Sequence, residues 1–309
     1  MIDNFNRTID YLRVSLTENC NFNCMYCKPD PIHKPLDRED LIRFINIFAN
    51  LGIEKIRFSG GEPLVRKDIV QIIKETKKIN SIKSISITTN GFLLGEKLVD
   101  LVNAGLTSVN ISIDATSEEL FKIITNHKSV DVVIASIKKA IDLGLEVKLN
   151  AVLLKKYWIQ QVDQLYQLAK ENGVPLRFIE LMPIGIATKI EGVSSDLVIP
   201  YLEEKYKKAE PSFIKGNGPA RYLNIAGVDL GFIDALSHNF CSSCNRLRLL
   251  STGEVKLCLY QEPSLDLRKI MNFNDAEISA LLKKIIKDKN EHHNLNDKAM
   301  ELSMASIGG

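Results

Sequence analysis

The sequence predicts an α/β protein, in which a partial six-stranded (β/α)6 barrel of the TIM type precedes a smaller C-terminal region. Three observations predict this fold class. Between residue 12 and about residue 183, short β-prone segments alternate with amphipathic helical segments, which is typical of βα units and a parallel sheet. Several strand candidates alternate polar and apolar residues, whereas strands of an ordinary parallel sheet are apolar on both faces. After about residue 184 the alternation stops, and short strands with glycine-rich turns follow.

Six segments are the strand candidates of the barrel. In chain order they are LRVSLT (12–17), EKIRFS (54–59), SISITT (84–89), SVNISI (108–113), EVKLNAVLL (146–154) and PLRFIEL (175–181). Helical patterns such as REDLIRFINIFANLG and DVVIASIKKAIDLG separate them and end at Gly52 and Gly144, as a C-terminal glycine cap would. An antiparallel sheet with one solvent-facing side is the alternative, but helical segments between the strands favour the parallel barrel.

The polar residues of these strands fall on one face of each strand, because side chains alternate along a strand. The face carries Arg13, Ser15 and Thr17, then Lys55, Arg57 and Ser59, then Ser86, Thr88 and Asn90, then Asn110, Ser112 and Asp114, then Lys148 and Asn150. If the six strands curve into an open barrel, these faces turn inward and form a charged cavity. That cavity is the expected active site.

The chain divides, by the same pattern, into a barrel at residues 1–183 and a C-terminal region at residues 184–309. The second region contains the cysteine-rich segment HNFCSSCNRLRLLSTGEVKLC, a predicted helix DAEISALLKKIIKDK and a polar tail that ends in Gly-Gly. We expect it to pack directly onto the barrel.

Composition and charge exclude several classes of protein. The 309 residues are 45% hydrophobic and 25% charged, and 40 basic against 38 acidic residues give a formal charge of +2. A net charge this close to zero gives no overall electrostatic attraction to nucleic acid or to an anionic membrane. The N-terminus lacks an apolar signal core, and no apolar run reaches the roughly 20 residues that span a bilayer. We therefore expect a cytoplasmic protein without a nucleic-acid or membrane partner.

The six cysteines form two triads: Cys20, Cys24 and Cys27, then Cys241, Cys244 and Cys258. In a reducing compartment such clusters indicate metal or catalytic sites rather than disulfides. Three thiolates can hold three corners of a 4Fe-4S cluster and leave the fourth iron open to a small molecule. From the spacing alone zinc is also open, with His33 as fourth ligand of the first triad and His238 as fourth ligand of the second.

The first triad and its surroundings resemble the radical S-adenosylmethionine superfamily. The resemblance depends on CxxxCxxC after the first strand, on Tyr26 before the third cysteine, and on SGGEP (59–63) after the second strand. It implies a partial six-stranded barrel and an open iron that chelates S-adenosylmethionine. It also implies S-adenosylmethionine contacts at Tyr26, Gly61, Ser112 and Met182, although Met182 taken by itself is more typical of core filling.

Over nearly the full chain the sequence resembles the molybdenum-cofactor GTP 3′,8-cyclase family. The matching segments are LRVSLTENCNFNCMYC, IRFSGGEPLVRKD, ITTNG, VNISIDA, VKLN, RFIELM, FCSSCNRLRL and the terminal Gly-Gly. The resemblance implies a second 4Fe-4S cluster on Cys241, Cys244 and Cys258, whose open iron meets the guanine of GTP. It places substrate contacts, with Lys55 added because it shares a face with Arg57, at Arg13, Lys55, Arg57, Thr88, Lys148, Arg177, Arg246, Leu247 and Arg248. Catalytic roles are implied for Arg246, Arg248, Gly308 and Gly309.

The implied reaction converts GTP into (8S)-3′,8-cyclo-7,8-dihydroguanosine 5′-triphosphate, the first step of molybdenum cofactor biosynthesis. Its implied partners are an electron donor and a downstream enzyme that takes the product, and a homodimer is compatible with the sequence. The rivals are a radical enzyme with an auxiliary cluster that modifies a peptide or another small molecule, and a zinc-stabilised binding module without catalysis. Arg246, Arg248 and the Gly-Gly terminus favour the cyclase, although such arginines are commonly a solvated face and a terminus is commonly frayed.

Overall fold

The computed structural model describes residues 1–27, 33–214, 218–292 and 304–307, and within these ranges twelve strands form one open sheet. Its centre consists of β1 (Tyr11–Ser15), β2 (Lys55–Ser59), β3 (Ser84–Thr89), β4 (Ser108–Ser112), β5 (Glu146–Leu153) and β6 (Leu176–Glu180). These strands lie side by side in chain order, and each neighbouring pair is parallel. The predicted six-stranded parallel arrangement is confirmed, and the antiparallel alternative is wrong.

Helices connect these strands and cover one face of the sheet. They are α1 (Arg38–Asn50), α2 (Ile69–Lys77), α3 (Leu94–Ala104), α4 (Glu118–Thr125), α5 (Val130–Asp142) and α6 (Trp158–Asn172). Each helix is amphipathic, and its apolar side is buried with the apolar residues of the strands, such as Leu12 and Phe58. Gly52 and Gly144 follow α1 and α5 with positive φ angles of 99° and 75°, as the predicted helix ends require. The core therefore lies between helices and sheet, which leaves the other face of the sheet to polar residues.

The C-terminal region contains two helices and six strands among its described residues. They are α7 (Ser195–Lys205), β7 (Glu210–Pro211), β8 (Arg221–Ile225), β9 (Val228–Ile233), β10 (Arg246–Leu249), β11 (Glu254–Lys256), β12 (Leu265–Asp266) and α8 (Asp275–Lys287). The predicted helix α8 is confirmed, and it begins with a capping box of Asn274 and Glu277. The sequence pattern does not indicate α7, because Pro200 lies inside it and its apolar residues do not fall on one side.

Strands of the C-terminal region extend the barrel sheet at both edges. β9 pairs in parallel with β6, and β10 pairs in parallel with β1. The antiparallel strands β8 and β7 continue beyond β9, while β11 and β12 continue beyond β10. The division at residue 183 stays a prediction, since one sheet runs through both parts. Among the described residues no helix combines the length and apolar character needed to cross a bilayer.

Candidate active site

The strand register brings the predicted polar residues together on one face. Arg57 lies between Arg13 and Ser86 on the neighbouring strands, and Arg13 lies beside Arg248 of β10. Farther along the sheet, Thr88 is level with Asn110 and Lys148, and Asn150 is level with Arg177. Neighbouring strands are about 4.8 Å apart, so the cationic side chains form two groups, one on β10, β1 and β2 and one on β5 and β6. The neutral polar residues of β3 and β4 lie between the two groups. We call this set, Arg13, Arg57, Lys148, Arg177 and Arg248, the cationic face.

Several buried polar atoms of this face lack a hydrogen-bond partner in the described part of the chain. They are Arg13 Nε, Thr88 Oγ1, Asn150 Oδ1 and Arg177 Nε. Leaving a buried polar atom unpaired costs about 1–3 kcal/mol, so folded proteins rarely retain such a set without a ligand to complete it. The unpaired atoms indicate where a polar ligand binds.

The charges on this face are crowded. Burial lowers the pKa of Arg177 to about 10, and nearby Arg57 adds to that effect. Burial and the neighbouring Arg246 lower the pKa of Arg248 to about 10, and burial and Arg248 also lower the pKa of Arg13. A polyanionic ligand would offset this repulsion.

Other cations at the site already have partners. Lys55 Nζ lies 2.8 Å from Asp10 Oδ2, Lys148 is paired with Glu146, and Arg57 Nε donates to Ser86 Oγ at 3.1 Å. An ammonium has three N–H donors, so Lys55 and Lys148 retain donors for a substrate beside these carboxylates.

The first triad lies after β1, at the carboxyl ends of the barrel strands. Burial raises the pKa of Cys20 to about 11, with a further contribution from Glu62, and burial and Asp114 raise the pKa of Cys24. His33, the zinc ligand that the spacing left open, is 66% exposed at its side chain, and its Nδ1 lies 3.1 Å from Glu18 Oε2. No three described His, Cys, Asp or Glu side chains are placed to hold a single metal ion.

The turn after β2 lies directly against the chain that leads into the first triad. A Cβ atom at Gly60 would be 2.4 Å from the Thr17 carbonyl oxygen, and one at Gly61 would be 2.4 Å from the Asn19 carbonyl oxygen. The Gly61 amide donates to Thr17 O at 2.7 Å. Glycine is required here because only a residue without a side chain permits this approach.

Glu62 is a residue of this turn to which the sequence reading gave no role. It is buried and accepts hydrogen bonds from Thr89 Oγ1 at 2.8 Å and from the Asn90 amide at 2.7 Å. Burial raises its pKa to about 7. Glu62 thereby ties the glycine turn to the end of β3, and its place between a glycine pair and Pro63 was the available signal.

Tyr26 and the residues at later strand ends lie around the same region. The Tyr26 hydroxyl donates to Asp114 Oδ2 at 2.5 Å, and Asp114 Oδ1 accepts from the Val152 amide at 2.8 Å. Burial raises the pKa of Asp114 to about 6. Ser112 ends β4 and Met182 follows β6, and both are half-buried. Asp114 is on the predicted polar face, but its bond to Tyr26 could not be read from the sequence.

The second triad surrounds β10 and β11. Arg246 Nη2 donates to Cys244 Sγ at 3.7 Å, and its guanidinium lies over the Phe240 ring. Burial opposes ionisation of Cys244, but Arg246 and Lys289 outweigh it and lower the pKa of Cys244 to about 7. His238 is 52% exposed at its side chain, and its Nε2 lies 3.1 Å from Asp196 Oδ1. Both histidines considered as zinc ligands thus have carboxylate partners.

Two buried cations hold the backbone of the second triad. Arg7 Nη1 donates to Cys241 O at 2.9 Å, and Arg7 also bonds Asp3 and the carbonyls that follow α8. Lys289 Nζ donates to Leu257 O, next to Cys258. The N-terminus and the end of α8 therefore fix two of the three cysteine positions.

Arg248 reaches the C-terminal tail, where its Nη1 donates to Ile307 O at 3.1 Å. Ala305 and Ile307 are buried, whereas Gly308 and Gly309, for which catalytic roles are predicted, lie outside the described residues. Leu247 has 0% exposure and belongs to the hydrophobic core on the opposite face of β10. A substrate contact by its side chain thus stays a prediction without support from its position.

Lys256, to which the sequence reading also gave no role, is level with Arg248 across the β10–β11 pair. It has 0% exposure, and its Nζ has no hydrogen-bond partner in the ranges that the structure covers. Burial and Arg248 lower its pKa to about 8.

Two family models together match most of the chain. Residues 14–169 match the model "Radical SAM superfamily", and residues 174–295 match "Molybdenum Cofactor Synthesis C". Streptococcus suis SuiB, in the crystal structure bound to S-adenosylmethionine, is 16% identical with a TM-score of 0.65 over 98% of this chain and 77% of that chain. That likeness concerns the fold. The chain belongs to the radical SAM superfamily.

Curated relatives show to which family of the superfamily the chain belongs. The GTP 3′,8-cyclase of Clostridium perfringens strain 13 is 41% identical, and that of Thermodesulfovibrio yellowstonii is 38% identical, each over 100% of both chains. The GTP 3′,8-cyclase of Actinobacillus pleuropneumoniae serotype 5b is 36% identical over 100% of this chain and 95% of the relative. Within the superfamily, the chain is therefore a member of the GTP 3′,8-cyclase family. Membership implies S-adenosylmethionine and two 4Fe-4S clusters as cofactors.

Proposed function

We propose that this protein is a GTP 3′,8-cyclase that converts GTP into (8S)-3′,8-cyclo-7,8-dihydroguanosine 5′-triphosphate, the first step of molybdenum cofactor biosynthesis. The observation that carries the proposal is the cationic face, with its unpaired buried polar atoms, between two cysteine triads. Full-length identity of 41% to a GTP 3′,8-cyclase supports it.

The first triad fits a 4Fe-4S cluster with S-adenosylmethionine. Cys20, Cys24 and Cys27 would hold three irons, and the fourth would bind the amino and carboxylate groups of S-adenosylmethionine. The fit is supported by the turn at Gly60 and Gly61, where a Cβ would meet backbone atoms at 2.4 Å. Tyr26, fixed by Asp114, and Ser112 and Met182 at later strand ends would complete the contacts.

The second triad fits a second 4Fe-4S cluster. Cys241, Cys244 and Cys258 would hold it, and the guanidinium of Arg246 already donates to one of their sulfur atoms. Hydrogen bonds to ligand sulfur are among the features that set the potential of such a cluster. The open iron would face the guanine of GTP.

The cationic face fits the triphosphate of GTP. A triphosphate carries several negative charges and is costly to bury without cations and hydrogen-bond donors. Arg13 and Arg177 each have an unpaired Nε, and Thr88 has an unpaired hydroxyl, which together match that demand. Lys55, Arg57, Lys148 and Arg248 would add charge, and Gly308 and Gly309 would enter the site beside Arg248.

The chemistry comes from the cofactors, and the chain supplies geometry. When bound, the first cluster and S-adenosylmethionine supply one electron and a 5′-deoxyadenosyl radical. GTP gives up the hydrogen atom at ribose C3′, its C3′ bonds to guanine C8, and one electron and one proton complete an isomer of GTP. The residues of the two triads and the cationic face would hold C3′ and C8 in position and exclude water.

The partners follow from this reaction. It needs an electron donor, and an enzyme must take the product onward. We also propose a cytoplasmic location, where thiol ligands stay reduced, and a homodimer is compatible with the fold.

An anaerobic assay tests the proposal. The reconstituted protein is incubated with S-adenosylmethionine, dithionite and GTP that carries deuterium at ribose C3′. We expect 5′-deoxyadenosine to gain one mass unit and a new nucleotide, separated by chromatography, to lose one relative to the labelled GTP. Unlabelled 5′-deoxyadenosine without a new nucleotide would refute the activity. ATP in place of GTP is the control and should give no cyclic product.

A further inference from the structure

The buried ammonium of Lys256 has no direct partner in the described part of the chain. Its side chain has 0% exposure and its Nζ has no hydrogen-bond partner among the described residues. An isolated buried ammonium is among the most costly groups that a protein can retain. The other two buried cations nearby differ, because Arg7 and Lys289 donate to backbone carbonyls. A structural role of that kind does not account for Lys256.

The register places Lys256 at one end of the cationic face. It is level with Arg248, which is level with Arg13 and, through β1, with Arg57. The adjacent residues Val255 and Leu257 are buried in the core, so Lys256 projects to the side of the sheet that carries the site. The Lys256 side chain is therefore on the same side of the sheet as Arg248 and the cationic face.

The proposed site would bind two anionic groups, the second cluster and the triphosphate of GTP. The cysteines of the second cluster are close to Lys256 in the sequence and flank β10 and β11. Lys256 is the last residue of β11 and precedes Cys258 by two residues. Of the cations assigned to the triphosphate, Lys148 and Arg177 are on β5 and β6, and five and six strands separate them from β11. A 4Fe-4S cluster on three thiolates has a net negative charge that grows by one on reduction.

We propose that Lys256 is a positioning residue of the second cluster, whose ammonium balances the charge of the cluster at its Cys258 corner and raises its reduction potential. A nearby cation stabilises the reduced, more negative cluster over the oxidised one, so removing it lowers the potential. The inference depends on the proposed assignment of the second cluster to Cys241, Cys244 and Cys258.

The test uses a chain in which only the second triad can hold a cluster. In a variant with Cys20→Ser, Cys24→Ser and Cys27→Ser, iron and sulfide analysis first checks the assignment itself. Absence of a cluster there refutes the assignment, whereas its presence allows Lys256 to be tested. Lys256→Met is then added, with Lys256→Arg as the charge-conserving variant. Lys269→Met, at a side chain that is 81% exposed, is the matched control.

Anaerobic redox titration monitored by electron paramagnetic resonance measures the potential. At the midpoint of the parent, Lys256→Met should show about a tenfold smaller ratio of reduced to oxidised cluster, which is about 59 mV for one electron. Lys256→Arg and Lys269→Met should stay near the parent. An unchanged midpoint in Lys256→Met would overturn the proposal, and an accompanying loss of GTP affinity would assign Lys256 to the substrate instead.

Lys256→Met could also prevent the second cluster from assembling, and the stability of the metal-free protein then tests the proposal. If Lys256→Met takes up no iron, its metal-free form should unfold at the same or a higher denaturant concentration than the parent, because an unbalanced buried charge has been removed. Loading by Lys256→Arg would then support the proposal. A metal-free Lys256→Met protein that is less stable than its parent would show a structural role and overturn it.

Discussion

Cys24 is the central thiol of the first triad, and burial, Asp114 and its neighbouring cysteines raise its pKa. We expect Cys24→Ser to abolish S-adenosylmethionine cleavage, because a hydroxyl is a poor substitute for a thiolate on iron. The second cluster and the fold should remain, since Cys241, Cys244 and Cys258 come from other elements. Chromatography of 5′-deoxyadenosine measures cleavage of S-adenosylmethionine, and iron analysis measures retention of the second cluster. Cleavage at the parental rate would contradict the assignment of the first cluster.

Arg246 and Arg248 differ in their surroundings, although both project to the site side of β10. Arg246 donates to Cys244 Sγ, and Arg248 donates to the carbonyl oxygen of Ile307 in the C-terminal tail. We expect Arg246→Ala with Arg248→Ala to weaken GTP binding at least roughly tenfold, because a hydrogen bond to a charged group contributes about 1.5–3 kcal/mol. Cleavage of S-adenosylmethionine without GTP turnover should persist under dithionite.

Arg268→Ala, at an exposed arginine of the same region, is the matched control and should bind GTP normally. Equal loss of cleavage and GTP binding in the double variant would indicate misfolding. If the double variant retained both cleavage and GTP binding, the GTP site would not be at Arg246 and Arg248.

A motif or strand alternation marks individual candidate site residues in the sequence, and their roles stay predictions. The two triads, Tyr26, Gly61 and the arginines of β1, β2 and β10 are of this kind. Lys256 was not marked in this way, because its significance is burial, and burial of a charged residue depends on which strands become neighbours. Glu62 was marked only by its place between the glycine pair and Pro63. Lys256 becomes notable only when β11 pairs with β10 and brings it level with Arg248.

Among the elements, the turn after β2 has the tightest geometry. In Gly61→Ala, the new Cβ would meet three backbone atoms of Glu18 and Asn19 at 2.4–2.7 Å. Backbone atoms cannot rotate away, so we expect about 1–3 kcal/mol of destabilisation. Displacement of the first triad by even part of an ångström should lower turnover roughly 100-fold.

Gly218→Ala is the control, because nothing lies within 4 Å of its new Cβ. Urea unfolding of the metal-free proteins and 5′-deoxyadenosine formation by the loaded ones check the two effects. A Gly61→Ala protein with parental stability and turnover would show that the turn can move without consequence.

The N-terminal segment before β1 is held by Arg7. Its ion pair with Asp3 has side chains that are 5% and 0% exposed, and it also bonds Cys241 O. Arg7→Met would leave the buried Asp3 carboxylate without its ion-pair partner and several carbonyls without their side-chain donor, so we expect about 3–5 kcal/mol of destabilisation in urea unfolding. Lys34→Met removes an ion pair whose side chains are 75% and 70% exposed and should change stability by less than about 0.5 kcal/mol. Similar values for both variants would contradict a structural role for Arg7.

Elements were predictable to the extent that their periodicity was regular. All six barrel strands and α8 occur as predicted, with boundaries within two residues. α7 was missed because Pro200 and scattered apolar residues hide its helical pattern. The two-residue strands β7 and β12 are too short to leave a pattern, and their pairing comes from the hairpins that contain them.

At the scale of the whole molecule, the barrel depends on strands that come late in the chain. β9 and β10 cover β6 and β1, and without them both edges of the six-stranded sheet would be unpaired. We therefore expect a protein that ends at residue 183 to aggregate or fail to fold, even though it contains the first triad. A protein that ends at residue 292 retains all twelve described strands and should remain folded. Size-exclusion chromatography and circular dichroism distinguish these outcomes.

The sequence predicted the barrel but not how its edges are completed. Pairing in parallel with β1 and β6 requires β10 and β9 to return from sequence positions more than 50 residues beyond their partners. Local periodicity carries no information on such long-range pairing, and the polar content of Arg246–Leu249 is equally typical of an exposed hairpin.

The late position of these two strands also bears on how the protein is made. A ribosome completes β6 about 70 residues before it completes β10, a delay on the order of several seconds at cellular rates of synthesis. Until β9 and then β10 have been made, the edges of β6 and β1 have no partner strand. Chaperones that shield strand edges, and insertion of the first cluster only after release from the ribosome, would suit a chain with this order of strands.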